Sequence, residues 1–158
     1  MTQPAASRPS PARLQAFADG FNASTMLRSF GVTLSFPDGT DRVRAEITVT
    51  DIHAGGLGSK EAVNGGILAA LFDLTLGCAP ALVDPDRRSA TMQLSMSFER
   101  PTTGPVIAAE AWVDRAGRDT VFASAQMLNG QGEVTARAQG VVKFSSIPWA
   151  NGVSPGAG

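Results

Sequence analysis

The sequence predicts an α+β domain in which an antiparallel sheet wraps around one long apolar helix. Three observations carry this. Residues 63–79 form an apolar run holding a single charge, Asp73, and the run is too long for a typical strand. Four strand-like segments joined by short turns follow it, between residues 91 and 144. One alternating segment, Arg42 to Thr50, precedes it. A sheet folded over the helix buries the helix and the inner faces of these strands together.

The elements follow in order. Residues 1–10 are rich in Pro, Ala and Ser and read as disordered. Residues 11–29 hold two short helices separated near Gly20, with Leu14, Phe17 and Phe21 at helical spacing. Val32 to Phe36 is a short strand, followed by a turn at Pro37-Asp38-Gly39. In 42–50, Val43, Ala45, Ile47 and Val49 face one way and Arg44, Glu46, Thr48 and Thr50 the other, as in a half-buried strand. A glycine-rich loop, 51–63, leads into a helix at 64–79, which Pro80 kinks or ends. Thr91 to Phe98 alternates, with Met92, Leu94, Met96 and Phe98 on one face. Val106–Val113, Thr120–Leu128 and Val134–Phe144 complete the sheet. Turns near Pro101 and Gly104, at Ala116-Gly117-Arg118 and at Asn129-Gly130 predict three hairpin links and a meander. Residues 11–146 read as one domain. Residues 147–158 read as a loose tail in which Trp149 packs on the surface.

Composition narrows the function. The chain has 158 residues, 43% of them hydrophobic and 17% charged, enough for one domain with a real core. A net charge of −1 gives no electrostatic argument for nucleic acid or an anionic membrane. One cysteine, Cys78, permits no internal disulfide and no cysteine zinc cluster, and one histidine, His53, makes no histidine metal cage. Asp73 and Pro80 interrupt the apolar helix, which argues against a membrane span. With no basic-then-apolar leader at its start, the chain is expected in the cytoplasm.

The apolar helix carries the chemistry. A carboxylate in so apolar a setting loses hydration and must find partners or work. At 3.6 residues per turn, Gly66, Ala69, Ala70, Gly77 and Pro80 share a face with Asp73, and Leu68, Leu71, Thr75, Cys78 and Leu82 lie opposite. The acid thus stands on a strip of small residues. That strip suits either a close helix–helix contact or the approach of a slim ligand. Asn64-Gly65-Gly66 opens the helix: Asn is a good cap, and glycines let a ligand near the first backbone N–H groups. Those groups have no partner within the helix and can hold a developing oxyanion; they also suit a plain cap. Gly65 and Asp73 are eight residues, roughly 12 Å, apart along one helix. One carbonyl carbon cannot touch both, so a site using both needs two subunits with antiparallel helices.

With Asn64-Gly65-Gly66, Asp73 two turns on, and Thr91-Met-Gln-Leu-Ser-Met-Ser-Phe-Glu-Arg-Pro101 after it, the chain resembles a hotdog-fold acyl-CoA thioesterase. The likeness is to the PaaI-like branch, related to 4-hydroxybenzoyl-CoA thioesterases, and runs from about residue 30 to 145. It implies hydrolysis of aryl or short to medium acyl-CoA thioesters by a homodimer or homotetramer. By resemblance Asp73 is the general base or nucleophile, the Gly65 N–H polarises the thioester carbonyl, and Thr91 holds Asp73 or the attacking water. Asn64 replaces the family's usual histidine; it can cap the helix or donate to substrate, and it cannot transfer a proton as histidine does. Gly66, His53, Arg87, Arg88 and Arg100 are candidate substrate contacts, the arginines for the phosphates of coenzyme A, with Arg118 and Lys60 further candidates. His53 reads alternatively as a surface loop histidine. No cofactor is expected beyond the coenzyme A of the substrate. Two other readings remain: a non-catalytic binder of acyl thioesters or small apolar ligands, and an acyl-thioester hydratase or dehydratase.

Overall fold

The computed structural model describes residues 8–55 and 61–147. Helix α1 (Pro11–Asn22) and helix α2 (Thr25–Phe30) come first, then strands β1 (Val32–Ser35) and β2 (Val43–Thr48). Helix α3 (Gly65–Cys78) passes into a 3-10 turn (Ala79–Leu82). Strands β3 (Ser89–Phe98), β4 (Val106–Ala116), β5 (Thr120–Leu128) and β6 (Val134–Phe144) follow. Of the disorder expected for residues 1–10 and the tail expected over 147–158, residues 1–7 and 148–158, with Trp149, lie outside the described residues, as does Lys60; Ser10 caps α1.

The first two helices part later than Gly20. Helix α1 runs through that glycine, and the break falls at Ala23-Ser24. Ser24 decides it: its side chain accepts the Leu27 N–H and starts a new helix.

All strand pairs are antiparallel, in the order β1-β2-β4-β5-β6-β3. The meander is therefore shorter than the turn signals suggest. β4, β5 and β6 are joined by hairpins, but β3 pairs with β6 and β4 pairs with β2. The 99–105 link is a crossover, pinned at several points. Thr102 accepts the Val63 N–H, Thr103 accepts the Gly130 N–H, and the buried Thr102 and Thr135 hydroxyls share a 2.6 Å hydrogen bond. Gly104, at φ +117°, lies so close to Gly130 that a Cβ would meet the Gly130 Cα at 2.6 Å.

The sheet curls around α3, which touches β2 through β6. Small inner residues make room for it: Ala45, Ala109, Ala111, Ala123, Ala125, Ala136 and Ala138 meet Leu68, Leu71, Phe72 and Leu76 in one core. At Gly140 a Cβ would stand 3.4 Å from Leu76 Cδ1, so glycine lets that leucine seat. By length and composition alone residues 65–82 are apolar enough to cross a membrane; the enclosing sheet accounts for that apolarity.

The register of β3 departs from simple alternation. It shifts between Thr91 and Gln93, leaving Met92 as the extra residue, 66% exposed. Thr91 pairs with buried Val142, so it shares the helix side with Leu94 and Met96, in place of Met92.

Candidate active site

Asp73 lies on the open side of α3. The helix buries Leu68, Leu71, Phe72, Thr75, Leu76 and Cys78, while Gly65, Gly66 and Asp73 are exposed and Ala69, Ala70 and Gly77 half-buried. The expectation of a helix enclosed on most sides, with a buried carboxylate, is corrected. Sheet residues cover one face; the strip is open from Gly66 through Ala70 to Asp73 in a single chain, whereas β3 closes on Gly77 and Pro80 is buried. Asp73 has no hydrogen bond or ion pair among the described residues.

Beside Asp73 is a depression of about 150 Å³, lined by Phe17, Phe21, Leu74, Gly77, Cys78, Ser89, Ala90 and Thr91. The Thr91 hydroxyl closes on the helix at Gly77, where a Cβ would stand 3.3 Å from Thr91 Oγ1. Ser89 Oγ donates to the Gly77 carbonyl at 3.1 Å, fixing the start of β3 against the last turn of α3. Phe17 and Phe21 stack at 4.9 Å, and Phe36 meets Phe17 edge-on at 5.9 Å. Cys78 is buried; burial first, and the Asp73 charge second, push its thiol well above its ordinary value. It is a packed, unreactive thiol.

The helix start is a separate group. Asn64 Oδ1 accepts the Gly66 N–H at 2.8 Å, and Asn64 Nδ2 donates to the Gly55 carbonyl at 3.0 Å. The cap thus uses the Gly66 N–H and leaves the exposed Gly65 N–H without a partner among the described residues. Nothing lies within 4 Å of where a Gly65 Cβ would be. This unpaired donor at a positive helix end is open to an incoming oxygen.

His53 is 2% exposed, which corrects its reading as a surface histidine. Its Nδ1 accepts the Thr50 N–H at 3.0 Å, so the ring proton sits on Nε2 and is donated to the Phe30 carbonyl at 3.0 Å. Its backbone carbonyl accepts the Asn64 N–H at 2.9 Å, so the histidine anchors the helix start.

The arginines are dispersed. Arg87 is tied into the fold: it donates to the Arg118 carbonyl and the Asp119 carboxylate and lies over the Phe144 ring. Arg88 is exposed just before β3. Arg100 is exposed beyond the other end of β3, two residues before Thr102, which holds Val63 near the helix start. The structure therefore groups Asp73 with Thr91, and Asn64, Gly65 and Gly66 with His53. It does not join the two groups within one chain. Phe17, Phe21, Ser89 and Ala90 escaped the sequence reading of the site. The four-residue spacing of the two phenylalanines was visible, but nothing local placed α1 beside Asp73.

The model of the thioesterase superfamily matches residues 61–136, a stretch holding Asn64, Gly65, Asp73 and Thr91. No curated protein matches the chain. Among solved structures, the chain is similar to the Escherichia coli PaaI protein from the phenylacetic acid degradation operon. That likeness has 18% identity, 87% of this chain and 97% of that one covered, and a TM-score of 0.72. A thioesterase of Haemophilus influenzae is similar at 15% identity, with 84% and 90% covered and a TM-score of 0.71. A Bacillus halodurans protein solved with CoA is similar at 19% identity, with 86% and 93% covered and a TM-score of 0.70. At these identities the likeness is one of fold, and the fold is the hotdog fold, an antiparallel sheet around a central helix.

Proposed function

We propose that the protein hydrolyses acyl-CoA thioesters at a site shared between two copies of the chain. The observation that carries the reading is the pairing of two incomplete groups on one uncovered helix face. Asp73 is an exposed, unpartnered carboxylate beside Thr91, and Gly65 offers an unpartnered N–H eight residues away. Two α3 helices packed antiparallel through the Gly66, Ala69, Ala70 part of the strip would set Asp73 of one copy beside Gly65 of the other. The thioester carbonyl would accept from the Gly65 N–H, which stabilises the tetrahedral oxyanion. Asp73 would take a proton from the attacking water, or attack the carbonyl itself, with Thr91 orienting it. No imidazole is needed. The match of residues 61–136 to the thioesterase superfamily model and the CoA in the Bacillus halodurans neighbour both support coenzyme A thioesters as the substrate class.

Asn64 favours a second reading, a non-catalytic acyl-thioester binder. Its carboxamide is spent on the cap and on Gly55, so it adds no proton transfer at the helix start. A hydratase has less support: both His53 ring nitrogens are used inside the fold, and His53 does not line the Asp73 depression. Free-thiol release from a panel of acyl-CoAs separates the readings. Asp73→Asn should lower turnover on the order of a hundredfold or more while the exposed amide leaves melting unchanged. An active Asp73→Asn protein retires the mechanism.

A further inference from the structure

A second cleft lies away from the Asp73 depression, with a volume of about 570 Å³, lined by Arg8, Thr40, Asp41, Arg42, Leu82, Val83, Trp112 and Val113. Register places Arg42 across from Trp112: Val43 pairs with Ala111, and the next position joins the two. The Arg42 guanidinium lies 4.2 Å from the Trp112 ring centroid, a cation–π contact. Among the described residues that guanidinium has no hydrogen-bond acceptor and no ion pair, and its Nη1 is sealed from solvent without a partner.

The contrast along the same strand is informative. Arg44, the next residue on that face, holds Glu110 at 2.8 Å and Glu46 at 3.1 Å. Within the cleft the one carboxylate, Asp41, is held by Arg8 at 3.0 Å. The cleft thus holds a guanidinium with no acceptor, and a half-buried guanidinium without a counter-charge is costly.

We propose that this cleft binds a small organic monocarboxylate. Charge decides between anions. Arg8 and Asp41 cancel, which leaves the single positive charge of Arg42. A monoanion neutralises it, whereas a phosphate dianion leaves an excess negative charge against apolar walls. With Nη1 sealed, the Nε–Nη2 edge is the side left to a ligand, and a carboxylate matches that edge in two parallel hydrogen bonds. Leu82, Val83 and Val113 give the body of the ligand an apolar wall, so an acid with a compact hydrocarbon body fits better than acetate.

The test uses the full chain with Trp149→Phe, which leaves Trp112 as the sole indole. Sodium cyclohexanecarboxylate and inorganic phosphate are titrated separately while Trp112 emission is followed. The carboxylate is expected to give a saturable change at lower concentration than phosphate. Arg42→Gln, checked for an unchanged melt, should abolish it. If Arg42→Gln does not fold, Arg42→Lys carries the test: it keeps the charge and loses the fork, so binding should weaken severalfold. No saturable response, tighter binding of phosphate, or an unchanged response in the Arg42 variants overturns the proposal.

Discussion

Thr91 Oγ1 lies 3.3 Å from the point a Cβ on Gly77 would occupy, and Gly77 is one helical turn beyond Asp73. The absence of a side chain at 77 lets β3 bring a hydroxyl onto the Asp73 side of α3. A bulge at Met92 turns that hydroxyl inward. Two local features, a glycine in a helix and an extra residue in a strand, together bring the threonine to the acid.

Gly77→Ala should separate packing from chemistry. Alanine improves helix propensity by up to about 1 kcal/mol, while its methyl presses on Thr91 Oγ1. The expected result is a melting temperature that holds or rises, with acyl-CoA turnover reduced severalfold. Equal activity and a higher melt would show that the position of Thr91 does not matter to the reaction.

Asn64→Ala removes two hydrogen bonds, the cap to Gly66 and the tether to Gly55. Denaturant unfolding should show a loss of about 1 kcal/mol, typical of a lost N-cap. Freed from the cap, the Gly66 N–H becomes a second open donor, so turnover should fall by less than for Asp73→Asn. If stability does not change, the hydrogen bonds of the cap are replaced by water without cost.

Much of this was legible in the sequence, and the misses have physical causes. Alternation at Val43, Ala45 and Ile47 and the turn at Asn129-Gly130 placed strands because each signal is local. The β3–β6 pairing was not legible, because the crossover is fixed by distant contacts such as Thr102 with Thr135. Alternation also misplaced Met92, since a bulge changes phase without changing composition. For Asp73, helical phase found the small-residue face, but hydropathy alone implied burial. The acid is exposed because that face is uncovered in one chain.

The uncovered face predicts the assembly. Strand β3 is also an edge of the sheet, and Met92 and Phe98 on it are 66% and 52% exposed. A bare edge beside a bare helix face calls for a second copy. Sedimentation velocity at micromolar concentration should show dimers or larger species. Ala70→Arg, in the middle of the small-residue strip, should give folded monomers with turnover down on the order of a hundredfold, the scale of losing a positioned catalytic group. A monomeric variant that keeps full turnover would refute a shared site.

Phe21 sets the reach of the depression beside Asp73. It is half-buried and stacked on Phe17, and that pair walls off the α1 side of a space of about 150 Å³. A dry cavity of about that volume holds a single benzene ring, so the wild-type protein should favour compact acyl groups. Phe21→Ala opens the wall while Phe17, braced edge-on by Phe36, remains in place. The ratio of kcat/KM for a linear eight-carbon acyl-CoA to that for a four-carbon one should rise roughly tenfold, the scale of one or two methylenes gaining a pocket. Compact substrates should change little, because they do not reach the removed ring. Measured across a chain-length series, a uniform fall would mean that Phe21 only supports the fold of α1, and an unchanged profile would mean that the acyl group lies elsewhere on the Asp73 face.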